Sequence, residues 1–202
     1  MNRNRIIRPG SLVLLCVLGA GANFILNTLC FRVFKIPLFL DTVFTVAVSF
    51  SAGLIPGIAT ALLTYLAIGA RDGVLTPFIL CSIAEVLLIC RLKQWIKPDA
   101  ASFASSVGVF AKLILLYIAA AFLISIMGGV IDYLYHNMWA MDKPYFSSED
   151  TFKINLLQRG IPLLLVNIFS RIPINIVDRF IVIFGGYFIS RLLKWFESRN
   201  NS

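Results

Sequence analysis

Apolar residues run along this chain in long, nearly uninterrupted blocks. The blocks at 12–31, 38–70, 74–90, 102–130 and 174–193 carry few charges. About 20 consecutive apolar residues make a helix long enough to cross the ~30 Å hydrocarbon core of a bilayer. The second block is too long for one ordinary span, and Gly53-Leu54-Ile55-Pro56-Gly57 sits in its middle. Proline removes a backbone donor and the glycines relax the chain, so this is turn chemistry. The pattern therefore predicts an all-α, polytopic membrane protein: one six-helix domain over 1–202, with spans near 12–31, 38–54, 55–70, 74–90, 102–130 and 174–193.

Charge in the loops supports that division. Six crossings put both termini on the cytoplasmic side with Arg3, Arg5, Arg8, Arg91, Lys93, Lys97, Arg191, Lys194 and Arg199. The outside then holds only Arg32, Lys35, Arg71, Lys143, Lys153 and Arg159. Lys and Arg favour the cytoplasmic side, and a single helix over 38–70 would remove the excess. Residues 1–8 followed by an apolar run and Ala20-Gly21-Ala22 have the outline of a cleaved signal. The run continues past that point to Phe31, however, and is read as the first span. The outer segment 132–159 is too long for a simple connector. Residues 160–170 are too short to span and read as interfacial or as a re-entrant start to the last helix. Pro173 suits that helix's first turn.

Composition narrows the function. Hydrophobic residues make up 59% and charged residues 14%, with a mean hydropathy of +0.87. Soluble domains run nearer 45–50% apolar and about 25% charged, so the remaining apolar surface belongs in a lipid bilayer. A six-helix chain of 202 residues leaves no room for a nucleotide-binding domain. Energy for any transport must come from another chain or an ion gradient. The net charge of +8 reads as cytoplasmic bias, not as a nucleic-acid surface. The four cysteines form no C-x-x-C pair, which supports neither a disulfide framework nor zinc. With one histidine, His136, and no glycine-rich phosphate loop, the sequence offers no enzyme chemistry, cofactor or metal site.

Charges at membrane depth are costly and by default face protein or water. Glu85 and Lys112 fall near mid-depth on antiparallel spans and can pair, either to fix helix register or as the floor of a pocket, unless Lys112 snorkels toward the inner face. Arg171, Asn175 and Asp178 share one face of the last helix. With Asn167 they form either an interfacial ring or a ligand site. Gly19, Asn23 and Asn27 recur every four residues on the first span, a spacing that commonly means helix packing. Asp41, at the outer mouth of the second span, is a helix N-cap or a pocket rim. Tyr133, Tyr135, Trp139, Tyr145 and Phe146 crowd the outer segment, as an aromatic belt or as a lid. The pocket reading has it open outward between the first, fourth, fifth and sixth spans. Arg171 and Asn175 would orient a flat, polar, ring-containing nutrient, and Trp139 or Tyr145 would cover it.

The run Ile36-Pro37-Leu38-Phe39-Leu40-Asp41-Thr42, a short span, Gly53-Leu54-Ile55-Pro56-Gly57 and the closing Ile172-Pro173-Ile174-Asn175-Ile176-Val177-Asp178-Arg179 resemble the S components of energy-coupling factor (ECF) transporters. The resemblance covers nearly the whole chain. It implies a bacterial cell-membrane subunit that binds a small water-soluble vitamin or related micronutrient from outside. A transmembrane coupling subunit and an ATPase pair would then drive uptake, so ATP is used by the partners. Family members carry alanines at every fourth position of the first span for docking. The matching stripe here is Gly19, Asn23 and Asn27. The metal-importing branch uses an N-terminal histidine, which residues 1–8 lack, so nickel and cobalt are not expected. The same architecture is similar to rod-shape-determining scaffolds and kinase-fused sensors, which leaves a non-transporting membrane scaffold or sensor as the alternative.

Overall fold

Glycines with positive φ and one irregular loop divide the apolar blocks into helices. The computed structural model describes residues 9–75, 77–96, 103–135 and 148–199. In order these form α1 (Pro9–Thr28, continued by a π turn, Leu29–Val33), α2 (Val43–Ser51), α3 (Leu54–Asp72), α4 (Ile79–Leu92), α5 (Phe103–Tyr133), α6 (Ser148–Gln158) and α7 (Leu163–Arg199). No strand occurs among the described residues. Gly53, at φ 104°, takes a backbone conformation that a side chain would strain. It separates α2 from α3 at the place where turn chemistry is expected. Pro56 then falls in the first turn of α3, where a missing N–H costs nothing.

Among the boundaries that differ from expectation, such as the start of α4 at Ile79 and the end of α7 at Arg199, two bear on the site. The second helix begins at Val43, because residues 34–42 are held away from helical geometry by neighbours described below. The last helix begins at Leu163, so Pro173 lies inside it and residues 163–170 are its first turns. An interior proline loses one helical hydrogen bond. Here it is flanked by buried anchors, Val166 and Ser170 before it and Asn175 and Asp178 after it, and packing on both sides carries the helix through.

Side-chain contacts set the helix directions. α1 and α3 run the same way, since Gly19 packs on Thr60, Asn23 bonds Thr64 and Thr28 bonds Arg71. α2 opposes α1, with Asn23 on Thr45 and Gly19 near Val48. α4 runs in the same sense as α7 and is linked to it by long side chains, Arg171 reaching Phe78 and Arg179 reaching Glu85. α5 opposes α7, pairing Phe110 with Phe184, Tyr117 with Phe180 and Ser125 with Asn175.

Four helical stretches among the described residues are long and apolar enough to cross a membrane: Gly10–Val33, Leu54–Asp72, Val107–Tyr133 and Leu163–Phe196. At 9 residues, α2 rises only about 14 Å at ~1.5 Å per residue. At 14 residues, α4 rises about 21 Å on the same basis. Both fall short of a full bilayer core. Val13, Leu14, Val17 and Leu18 on α1 and Leu115, Ile118, Phe122 and Ile126 on α5 are exposed. In water so large an apolar surface would be a liability. In lipid it is the ordinary outer face of a bundle.

Beneath that face, Val43, Val46 and Phe50 of α2 pack with Ile89, Leu113, Leu116, Val182 and Ile183 in the main core. The carbonyl end of α2 stops inside the protein, where its last acceptors have no helical partner. Lys93 Nζ donates to Ser49 O at 3.1 Å and Lys194 Nζ to Phe50 O at 3.2 Å. Cations suit a helix C-terminus, at ~0.3–1 kcal/mol each and up to ~2 when partly buried. Lys93→Met and Lys194→Met together are expected to lower unfolding stability in detergent by about 1–3 kcal/mol on that basis. A double variant as stable as the parent would mean that water caps α2 equally well.

Candidate functional site

The irregular stretch between α1 and α2 is built around one carboxylate. Asp178 Oδ1 accepts from the backbone N–H of Phe39 at 2.9 Å and of Leu40 at 3.1 Å. Leu40 sits at φ 41°, a left-handed conformation that costs a non-glycine residue on the order of 1–3 kcal/mol and persists only where surroundings enforce it. The enforcing contacts are Asp178 on one side and Asn27 on the other, whose Nδ2 donates to Phe39 O at 3.0 Å. Backbone that is not helical survives among apolar helices only when protein groups satisfy it. The π turn at the end of α1 feeds this loop, through the bond from Phe34 N to Leu29 O at 2.9 Å.

Arg179 lies next to Asp178 and ties three further elements together. Its Nη1 donates to Glu85 Oε2 at 2.7 Å and to Thr42 Oγ1 at 2.9 Å. Its Nε donates to Asp178 Oδ2 at 3.0 Å, and its Nη2 also pairs with that oxygen. Glu85, Asp178 and Arg179 are all buried. Asp41, half-buried in the loop, lies within electrostatic reach of all three. One guanidinium thus holds α7, α4 and the start of α2 in register, as a planar fork with several donors is suited to do.

A second cluster lies about two helical turns further toward the start of α7, at the C-terminal end of α5. Asp132 Oδ2 accepts from Lys153 Nζ at 2.6 Å, and Oδ1 lies 3.5 Å from Arg171 Nη2. The Arg171 guanidinium stacks over Phe78, 4.8 Å from the ring centroid, a cation–π geometry. Gly128 leaves room for it, since a Cβ there would be 3.2 Å from Arg171 Nη1. This cluster joins α4, α5, α6 and α7.

The sequence candidates divide between these clusters and the packing around them. Asp41, Glu85 and Asp178 meet at Arg179, and Arg171 belongs to the Asp132 cluster. Asn175 is buried but bonds Ser125 Oγ at 3.0 Å. Asn167 donates to Leu163 O within its own helix. The expected Glu85–Lys112 pair is not formed. Glu85 is taken by Arg179, and the contacts of Phe110 and Tyr117 set Lys112 about one helical turn from the level of Arg179, with no ion pair among the described residues.

Gly19, Asn23 and Asn27 also turn out to face inward. Asn23 donates to Thr45 and Thr64 and accepts from Phe44 N at 2.8 Å, while Gly19 packs on Thr60. The stripe thus serves packing within the chain, the common meaning of its spacing. Asp41 is not the N-cap of α2. Thr42 holds that position, and its hydroxyl serves Arg179. Trp139 and Tyr145 lie outside the described residues.

Arg179, Thr42, Asp132, Lys153 and Phe78 were not among the candidates. For Arg179 a signal existed: a basic residue deep in an apolar helix needs an acid nearby, and Glu85 is such an acid. No family model, curated protein or solved structure matches this chain.

Proposed function

We propose that this chain is a substrate-binding membrane subunit of the ECF S-component type, with six passes, cytoplasmic termini and a place in a bacterial cell membrane. Its ligand is a small water-soluble vitamin or related micronutrient taken from outside. A transmembrane coupling subunit and an ATPase pair supply the energy. The observation that carries this reading is the strained, non-helical segment at 39–42, seated on buried polar groups of α1 and α7. The Pro37–Asp41 run behind the resemblance leads into that segment. Interrupted backbone lined by charges, within a bundle of apolar helices, is how membrane proteins build sites for polar ligands.

The test is ligand capture. Protein purified in mild detergent is extracted for mass spectrometry and screened by thermal unfolding against water-soluble vitamins. A ligand at 100 times its Kd stabilises the folded state by about 2.7 kcal/mol, so a true binder gives a clear, saturable shift. A membrane scaffold or sensor gives no shift and co-purifies with a cell-wall or signalling protein. That pair of results would end the transport reading.

A further inference from the structure

Around Arg179 the formal charges do not balance. Glu85 and Asp178 share a single guanidinium, and Asp41 adds a third carboxyl group within electrostatic reach of it. All three nitrogens of Arg179 are engaged by Asp178, Thr42 and Glu85. Asp178 spends its other oxygen on the N–H groups of Phe39 and Leu40. Of three buried side-chain atoms with no hydrogen-bond partner among the described residues, Arg171 Nε belongs to the Asp132 cluster and two lie here, Glu85 Oε1 and Asn27 Oδ1. Both are acceptors. Each belongs to a side chain already anchored at this place, Glu85 through Arg179 to Thr42 and Asn27 through Phe39 O.

A buried carboxylate oxygen left unpaired is destabilising, and more so in a cluster that is already negative. A cation that carries N–H groups answers both deficits, of positive charge and of donors, at once. A bare metal ion fits poorly, since no group of three or more His, Cys, Asp or Glu side chains among the described residues is placed to hold one. Neighbouring cations do not fill the gap. Arg171 is turned to Asp132 and Phe78, and Lys112 lies about one turn away along the bundle.

We infer that this cluster binds a small organic cation, whose ammonium or amidinium group hydrogen-bonds Glu85 Oε1 while Asp41 and Asp178 supply counter-charge. The inference rests on the binding-subunit reading and names the ligand class.

The experiment uses the full chain in detergent and charged probes beside neutral isosteres: benzylammonium with benzyl alcohol, and benzamidinium with benzamide. Tetramethylammonium serves as a cation without N–H. At least one N–H cation is expected to raise the unfolding temperature saturably, and its neutral partner to leave it unchanged. Glu85→Gln should weaken that cation tenfold or more, and Asp41→Asn severalfold. Neutral isosteres that match the cations, no response to any cation, or undiminished binding by Glu85→Gln would each overturn the inference. Tetramethylammonium equal to the N–H cations would overturn the hydrogen bond to Oε1. Should Glu85→Gln fail to fold, the cation–neutral comparison on the parent chain and the Asp41→Asn series still decide. A neutral or anionic molecule found bound after purification would sink the inference and leave the binding-subunit reading standing. Absence of any ligand response, whatever its charge, would sink both.

Discussion

Arg179→Met is expected to destabilise the protein more than any other single polar substitution, by about 3–5 kcal/mol, the range found when one partner of a buried ion pair is removed. The methionine nearly fills the volume but leaves Glu85 and Asp178 buried without their shared cation. Thr42 loses its donor as well, and with it the start of α2 loses its tie to α7. The measurement is reversible unfolding in detergent with increasing denaturant, compared with the parent chain. A partner experiment separates charge from packing. Glu85→Gln in the Arg179→Met background should recover part of the loss, because one stranded carboxylate is neutralised, and the two changes should be clearly non-additive. If Arg179→Met costs less than about 1 kcal/mol, in the range of exposed ion pairs, the cluster is hydrated and does not hold the helices in register.

The second large effect belongs to a glycine. A Cβ at Gly129 of α5 would lie 2.6 Å from Ile168 Cα and 2.8 Å from Ile168 N. The obstacle is the backbone of α7, which cannot rotate away as a side chain could. Gly129→Ala therefore has to push α5 and α7 apart along their shared face. That face carries Ser125–Asn175 on one side of Gly129 and Asp132–Arg171 on the other. Overpacking a well-filled interior costs typically 1–3 kcal/mol, and with no side chain to yield, a value near ~3 is expected here. Gly129→Val should abolish accumulation of folded protein. Gly21→Ala is the control, because a Cβ there meets nothing within 4 Å. Alanine is also the better helix former, by about 0.5–1 kcal/mol, so this variant should be neutral or slightly stabilised. Equal stability of the Gly129→Ala and Gly21→Ala proteins, read by the same unfolding assay, would show that α5 and α7 are not in contact at this level.

Both substitutions act between helices distant in sequence, and this is where the expectations from sequence came apart. The sequence matches Glu85 with Lys112 by depth, since rise per residue is the only coordinate it supplies. Depth says which charges are at the same level, not which faces are turned together. Arg179 takes Glu85 because its long side chain reaches across from α7 to α4, which runs in the same sense, with Phe78 on Arg171 and Glu85 two turns further on. The Gly19, Asn23 and Asn27 stripe was read correctly as one face of a helix. Whether that face meets lipid, a partner or the same chain depends on where α2, α3 and the 34–42 loop come to rest.

Local composition by itself determined that this protein is helical and made for an apolar surrounding. Uninterrupted apolar blocks have to bury their backbone polar groups in helices, and exposed leucine, valine and phenylalanine require lipid around them. The break at Gly53 was equally legible, because a glycine–proline turn acts on its own few residues. The late start of α2 and the early start of α7 were not. Residues 38–42 are apolar enough to be helical, but Asp178, far along the chain, takes the N–H groups of Phe39 and Leu40. Pro173 marks a helix start by local rule and is overruled by burial on both sides of it. Only the tertiary structure decided the ionic partners, because a buried charge is stabilised by whichever opposite charge the packing brings within hydrogen-bond distance, and packing is a property of the whole bundle.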